Sequence, residues 1–176
     1  MTASFIRGFL DGSLSSLGIV VGASSASSWI IIAAATGGAI GNSMSNFLGA
    51  LASAGSQEYE DLRRIEKAMV VADLKKSVLF RGIQKRAALV GTVDGLATLG
   101  GGLLPIIPYL FAPAFTALLI SVSVVTASVF AIGLYLGAVS RQSLILSALK
   151  MAGFALIISV TVYLVQRLIV PPGIVL

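Results

Sequence analysis

Long apolar runs, broken by short polar or proline-rich joints, set the pattern of this chain. A membrane-spanning helix takes about 20 mostly apolar residues, and residues 5–23, 29–54, 87–104, 113–139 and 146–170 each offer such a stretch. Ala23-Ser24-Ser25-Ala26-Ser27-Ser28 is a small polar turn, followed by Trp29 as an interfacial anchor. Pro105-Ile106-Ile107-Pro108-Tyr109, then Pro113, reads as a bend or short re-entrant corner. Proline lacks the amide donor and disfavours helix in the residue before it. Arg141-Gln142-Ser143 is a second polar turn, and Pro171-Pro172 ends the last stretch. The pattern predicts an all-α integral membrane protein with five transmembrane helices in a single domain, residues 1–176.

Residues 57–86 depart from this pattern, with five acids and eight bases in the run from Gln57 to Arg86. Leu62, Ile65, Met69, Ala72 and Val78 recur there at helical spacing. That spacing predicts a short amphipathic cytosolic helix continuing the second span out of the bilayer. Its acids are Glu58, Glu60, Asp61, Glu66 and Asp73, and the bases outnumber them. A solvated face accounts for this mixture better than a metal trap. With five spans and the amino end inside, eleven of the twelve Lys and Arg residues fall on the inner side and Arg167 alone on the outer. This positive-inside distribution predicts a multi-pass protein of the cell membrane with the amino end and residues 57–86 cytosolic.

Composition narrows the chemistry. The chain is 57% hydrophobic and only 11% charged, where a soluble domain carries about 25% charged residues; its mean hydropathy is +1.01. The net charge of +5 lies beside apolar stretches, so orientation and lipid headgroups explain it without a nucleic-acid partner. There is no cysteine and no histidine, which excludes disulfides, thiolate or imidazole metal sites and triad-type catalysis. A metal here must be held by carboxylate, amide, hydroxyl, carbonyl or thioether groups. No nucleophile–base pair and no phosphate-loop or dinucleotide motif is evident, so neither an enzyme nor a bound cofactor is expected. The first apolar stretch carries an acid and lacks a clear small-residue cleavage site, which argues against a cleavable signal.

Outside residues 57–86 only two acids remain, Asp11 and Asp94. Each opens an Asp-Gly run within apolar sequence: Asp11-Gly12-Ser13-Leu14 and Asp94-Gly95-Leu96-Ala97. A carboxylate in hydrocarbon costs at least about 2.5–3.5 kcal/mol on insertion scales, which marks it as a functional candidate. Two readings are open: the pair lines a cation and proton path, or each acid caps a helix near the interface. On the second span, Asn42, Asn46, Gly49 and Ser53 share a face. Asn42 and Asn46 offer neutral oxygen ligands and Met44 a soft thioether; interhelical hydrogen bonding is the alternative use of the amides. Glu58, where the second span leaves the bilayer, is placed at the cytosolic entrance. Gly-x-x-x-Gly spacing at Gly18/Gly22, Gly91/Gly95 and Gly133/Gly137 favours close helix packing, within the bundle or between subunits. The two Asp-Gly runs, with Leu48-Gly49-Ala50 and Leu136-Gly137-Ala138 ending the second and fourth spans, suggest an internal repeat of two helices plus a fifth.

Taken in order, these motifs resemble the vacuolar iron transporter family. Asp11-Gly12-Ser13-Leu14-Ser15-Ser16-Leu17-Gly18-Ile19-Val20-Val21-Gly22 is similar to that family's first helix, Ser53-Ala54-Gly55-Ser56-Gln57-Glu58-Tyr59 to the end of its second, and Gly102-Leu103-Leu104-Pro105-Ile106-Ile107-Pro108-Tyr109 to its proline corner. The resemblance implies a homodimer that moves Fe²⁺, often also Mn²⁺, out of the cytosol in exchange for protons. It places Asp11 in the ion path and Asn46 where the family has Asn or Glu. The family's second-helix Asp and Met fall at Ala50 and Ala54, and its glutamate-rich cytosolic domain has no counterpart in residues 57–86. Asp94 is then a candidate to replace a lost charge. The departures leave a non-transporting membrane scaffold or subunit that retains the family fold as the alternative.

Overall fold

The computed structural model describes residues 1–69 and 78–169; between residues 54 and 86 it describes only some of the side chains. Among the described residues five α-helices follow one another: α1 (Thr2–Gly22), α2 (Ser28–Met69), α3 (Val78–Leu103), α4 (Ala114–Val139) and α5 (Leu144–Ile169). A 3-10 turn, Ile107–Leu110, fills the proline corner between α3 and α4. No strand occurs among the described residues. Glu58 lies on α2, but its side chain is outside the described set.

Among the described residues three helices are long and apolar enough to cross a membrane: α1, α4 and α5. The five-span expectation is thus met for three stretches and not for α2 and α3. The reason is in their side chains. The apolar part of α2 carries Asn42, Asn46 and several glycines, and the helix runs on into the charged segment. In α3, Arg81, Lys85 and Arg86 occupy the first turns and Asp94 the middle, which leaves a short apolar remainder.

Small residues fix the packing. Gly8 faces the Asp94 carbonyl, Gly12 the Thr98 carbonyl and Ser16 the backbone of Gly102, so α1 and α3 run parallel and nearly in backbone contact. Asp11 meets Asn46, Ser15 meets Asn42, and Ile19 meets Gly38, so α2 runs antiparallel to α1. Gly91 and Gly95 rest on the α2 backbone at Phe47 and Ser43. Gly133 and Gly137 rest on Ala148 and Leu144, which makes α4 and α5 an antiparallel pair. At Gly8, Gly12, Gly91, Gly95, Gly133 and Gly137 a Cβ would meet main chain, which is why glycine stands there, whereas at Gly38 it would meet the Ile19 side chain. Gly18 has open space around it, so of the three Gly-x-x-x-Gly pairs the first is not a two-point contact.

Two apolar clusters close the bundle. Leu17 and Val21 of α1 pack with Val125, Val129 and Ala155 of α4 and α5. Val20 packs with Ile31, Ala35, Ile106, Tyr109 and Ala117 around the corner. The buried Ser121 hydroxyl meets the Pro105 carbonyl at 2.6 Å and ties that corner to α4. The two-helix repeat is not reflected in the packing: α1 lies along α2, whereas α4 packs on α5 and α1 without comparable contact with α3 among the described residues.

Candidate functional site

The close approach of α1 to α3 at Gly8 and Gly12 brings four polar side chains together. Arg7 and Asp11 stand one turn apart on α1, and Asp94 and Thr98 one turn apart on α3. Asn42 and Asn46, again one turn apart, face them from α2. The six form one connected network.

Asp94 is buried, with 1% of its side chain exposed, and Arg7 is its partner. Arg7 Nε donates to Asp94 Oδ1 at 3.2 Å and an Nη to Oδ2 at 2.8 Å. This two-pronged geometry is the strong form of a carboxylate–guanidinium pair. It offsets the cost of a carboxylate among apolar helices. The Arg7 side chain is itself 63% exposed, so the pair joins a buried anion to a cation that still reaches the mouth of the site.

Asp11 has different company. Asn42 Nδ2 donates to its Oδ2 at 3.0 Å, and Asn46 Nδ2 donates to the same oxygen at 2.6 Å. The amide orientations follow from the rest of the network. The Thr98 hydroxyl donates to the Asp94 carbonyl at 2.8 Å, so it accepts from Asn46 Nδ2 at 3.0 Å. The Ser15 hydroxyl donates to the Asp11 carbonyl at 2.6 Å, so it accepts from Asn42 Nδ2 at 2.9 Å. Both amides therefore present nitrogen, not oxygen, to the carboxylate. A cation arriving at Asp11 must turn them over to gain their oxygens as ligands.

Arg7, Asp11, Asn46, Gly49, Ala50 and Asp94 line a cavity of about 340 Å³. Both aspartates thus face one space, and each lies within its helix, not in a first turn where it would act as a cap. Ala50 lines the same space, so the residue standing where the resemblance expects an acid is at the site. Met44 is elsewhere: it lies on an outward face of α2, 56% exposed, and is not part of the lining. Among the described residues no group of three or more acidic, histidine or cysteine side chains gathers in a form that could hold a metal ion.

Arg7 and Thr98 are the members that sequence reasoning missed. Along the chain Arg7 reads only as an orienting charge at the amino end. The available signal is its position one turn before Asp11 within an apolar helix. Thr98 lies one turn after Asp94, and only the contact with α2 gives it a role.

A second polar link lies at the other end of the bundle. Ser24 donates to the buried Gln166 side-chain oxygen at 3.0 Å and ties the first turn to α5. Arg167 caps the same end, donating to the Tyr163 hydroxyl at 2.8 and 3.0 Å with its guanidinium 5.2 Å from that ring's centre.

Over 170 residues the chain is 36% identical to the uncharacterized protein MJ0645 of Methanocaldococcus jannaschii, a match covering 94% of this chain and 88% of that protein. The chain belongs to the same family as MJ0645. No family model matches the sequence. The match takes in nearly the whole five-helix layout.

Proposed function

We propose that this family member is a secondary transporter of the cell membrane, a homodimer that moves a divalent cation of the Fe²⁺ or Mn²⁺ kind out of the cytosol in exchange for protons. One observation carries the reading. Two carboxylates, an amide and a guanidinium from three helices line a single open cavity in an otherwise apolar bundle, where Asp94 is buried and Asp11 and Arg7 are exposed. A buried carboxylate such as Asp94 is costly among apolar helices, and ion or proton paths are the commonest use of such a group. The resemblance to the vacuolar iron transporters supports the choice of cargo.

All five helices are membrane spans in this reading. α1 is long and apolar enough to cross, and α3 lies parallel to it with Gly8, Gly12 and Ser16 against Asp94, Thr98 and Gly102 in turn. α2 lies antiparallel along the same helix. Where α1 crosses, its two close neighbours cross with it, and their polar groups are met within the bundle. Asp11 is then the cation's first ligand. Asn42 and Asn46 hold Asp11 when no cation is there and turn to give oxygens when one arrives.

The test is Mn²⁺ uptake into proteoliposomes under a pH gradient, with wild-type protein and Asp11→Asn. Uptake in the wild type and at least a tenfold loss in the variant is the expected result. Equal flux removes the role given to Asp11, and no flux for any divalent or monovalent cation removes the transporter class. A scaffold that keeps the fold without transport is the second reading. Its support is that Arg7 already neutralises Asp94 and that Ala50 stands at the cavity wall.

A further inference from the structure

The cavity holds two carboxylates and one guanidinium, so its fixed charge is one negative unit, not two. The three groups are arranged unequally. Asp94 is almost wholly buried, with Arg7 as its charged partner, while Arg7 is mostly exposed and hangs from a flexible stem at the cavity mouth. Arg7 is also one helical turn from Asp11 on the same face of α1, and both line the cavity.

The asymmetry has an energetic direction. Released from Asp94, the Arg7 guanidinium reaches water at little cost. Released from Arg7, the Asp94 carboxylate is stranded among helix backbones, the expensive half of a broken buried pair. Whatever displaces Arg7 must therefore bring positive charge with it.

We propose that Arg7 is a tethered cation that competes with the transported one. It occupies Asp94 while the site is empty of cargo and leaves only when a divalent cation takes its place between Asp94 and Asp11. The exchange makes Arg7 a specificity-determining residue. A doubly charged ion repays the loss of the guanidinium with two carboxylates, whereas a singly charged ion meets Asp11 alone with Arg7 still in position. It also guards against leakage, because an opening that moves Arg7 without cargo exposes a bare buried carboxylate. This inference rests on the transport reading above and adds a component that reading does not need.

Mn²⁺ binding to the purified full-length protein in detergent, followed by titration calorimetry, separates the two. Arg7→Gln keeps a donor for Asp94 but removes the competing charge, and it is expected to bind Mn²⁺ about tenfold more tightly than wild type. Asp94→Asn frees Arg7 to turn to Asp11, and binding is expected to weaken about tenfold. The double variant Arg7→Gln/Asp94→Asn restores the wild-type charge count and is expected to bind as the wild type does, within about threefold. A merely structural role for Arg7 would not tighten binding, nor rescue Asp94→Asn.

Unchanged or weaker binding in a well-folded Arg7→Gln overturns the inference. If Arg7→Gln does not fold, the other two variants decide. A double variant binding about tenfold more tightly than Asp94→Asn supports competition, and equal binding overturns it. Wild-type binding lost in Asp11→Asn, with Arg7→Gln unchanged, overturns this inference and leaves the transport reading standing. No Mn²⁺ binding by wild type or any variant overturns both.

Discussion

At the scale of single residues, the bundle treats its polar groups in two ways. Around Asp11 and Asp94 every carboxylate has a donor, and every amide nitrogen that points inward has an acceptor. Tyr109 is a counterexample, as are Ser16 and Thr126. Tyr109 is buried in the cluster around Val20 and Ile31, and its hydroxyl has no hydrogen-bond partner among the described residues. Burial pushes the phenol up to about 12, so it stays protonated at physiological pH. An unmet buried hydroxyl costs about 1–3 kcal/mol. Tyr109→Phe keeps the ring and removes that cost. The expected result in thermal unfolding in mild detergent is a stability equal to wild type or higher by about 1 kcal/mol; a clear loss would mean that the hydroxyl has a partner. This is also the scale at which the sequence is most legible for the acids and least for their partners. Asp11 and Asp94 stand out because carboxylates are rare in apolar runs. Arg7 and Thr98 do not, because a base near a membrane boundary and a threonine in a helix are both ordinary until a neighbouring helix gives them something to hold.

At the scale of helices, the same glycine can be a contact or a vacancy, and sequence spacing does not distinguish them. Gly91/Gly95 and Gly133/Gly137 sit on neighbouring backbones, whereas Gly18 faces open space. The Gly8/Gly12 pair, which sets the distance between α1 and α3, has the same spacing but is overshadowed in the sequence by the more conspicuous Asp11. Any side chain at Gly12 would meet the Thr98 main chain. Gly12→Ala must therefore push α1 from α3 and loosen the network that joins Asp11, Asn46 and Thr98. It is expected to cost about 1–3 kcal/mol in thermal unfolding, the range for overpacking a close contact. Gly37, on α2, is the control, since a methyl group added there would have nothing within 4 Å. Gly37→Ala is expected to be neutral or to stabilise by up to about 1 kcal/mol, because alanine is the better helix former. Equal effects at the two positions would mean that the α1–α3 contact is not tight. Helix identity is easy to read from hydropathy for α4 and α5, which are apolar on all sides. It is harder for α2 and α3, because the groups that build the site are the groups that lower their hydropathy.

At the scale of the whole molecule, the choice is between three crossings and five, and α2 decides it. Both layouts put the turn before α2 outside and Arg141 inside, so those positions do not discriminate. They differ in the charged segment that follows α2. With five crossings its eight bases lie in the cytosol; with three they lie outside, against the positive-inside rule. α2 is 42 residues long, about 63 Å, roughly twice the thickness of the hydrocarbon core. It can cross and still project, which fits an apolar first part alongside α1 and a charged second part beyond it. Because the chain has no cysteine, single cysteines report sidedness without background. Ser27 precedes α2, Ser56 lies beyond its apolar part, and both are exposed. In intact cells, Ser27→Cys is expected to react with a membrane-impermeant maleimide, and Ser56→Cys only after the membrane is opened. Labelling of both from outside would leave α2 on the outer surface, separated from a membrane-crossing α1. The contacts of Asn42 and Asn46 with Asp11 argue against that arrangement, because they require the two helices to lie at the same depth.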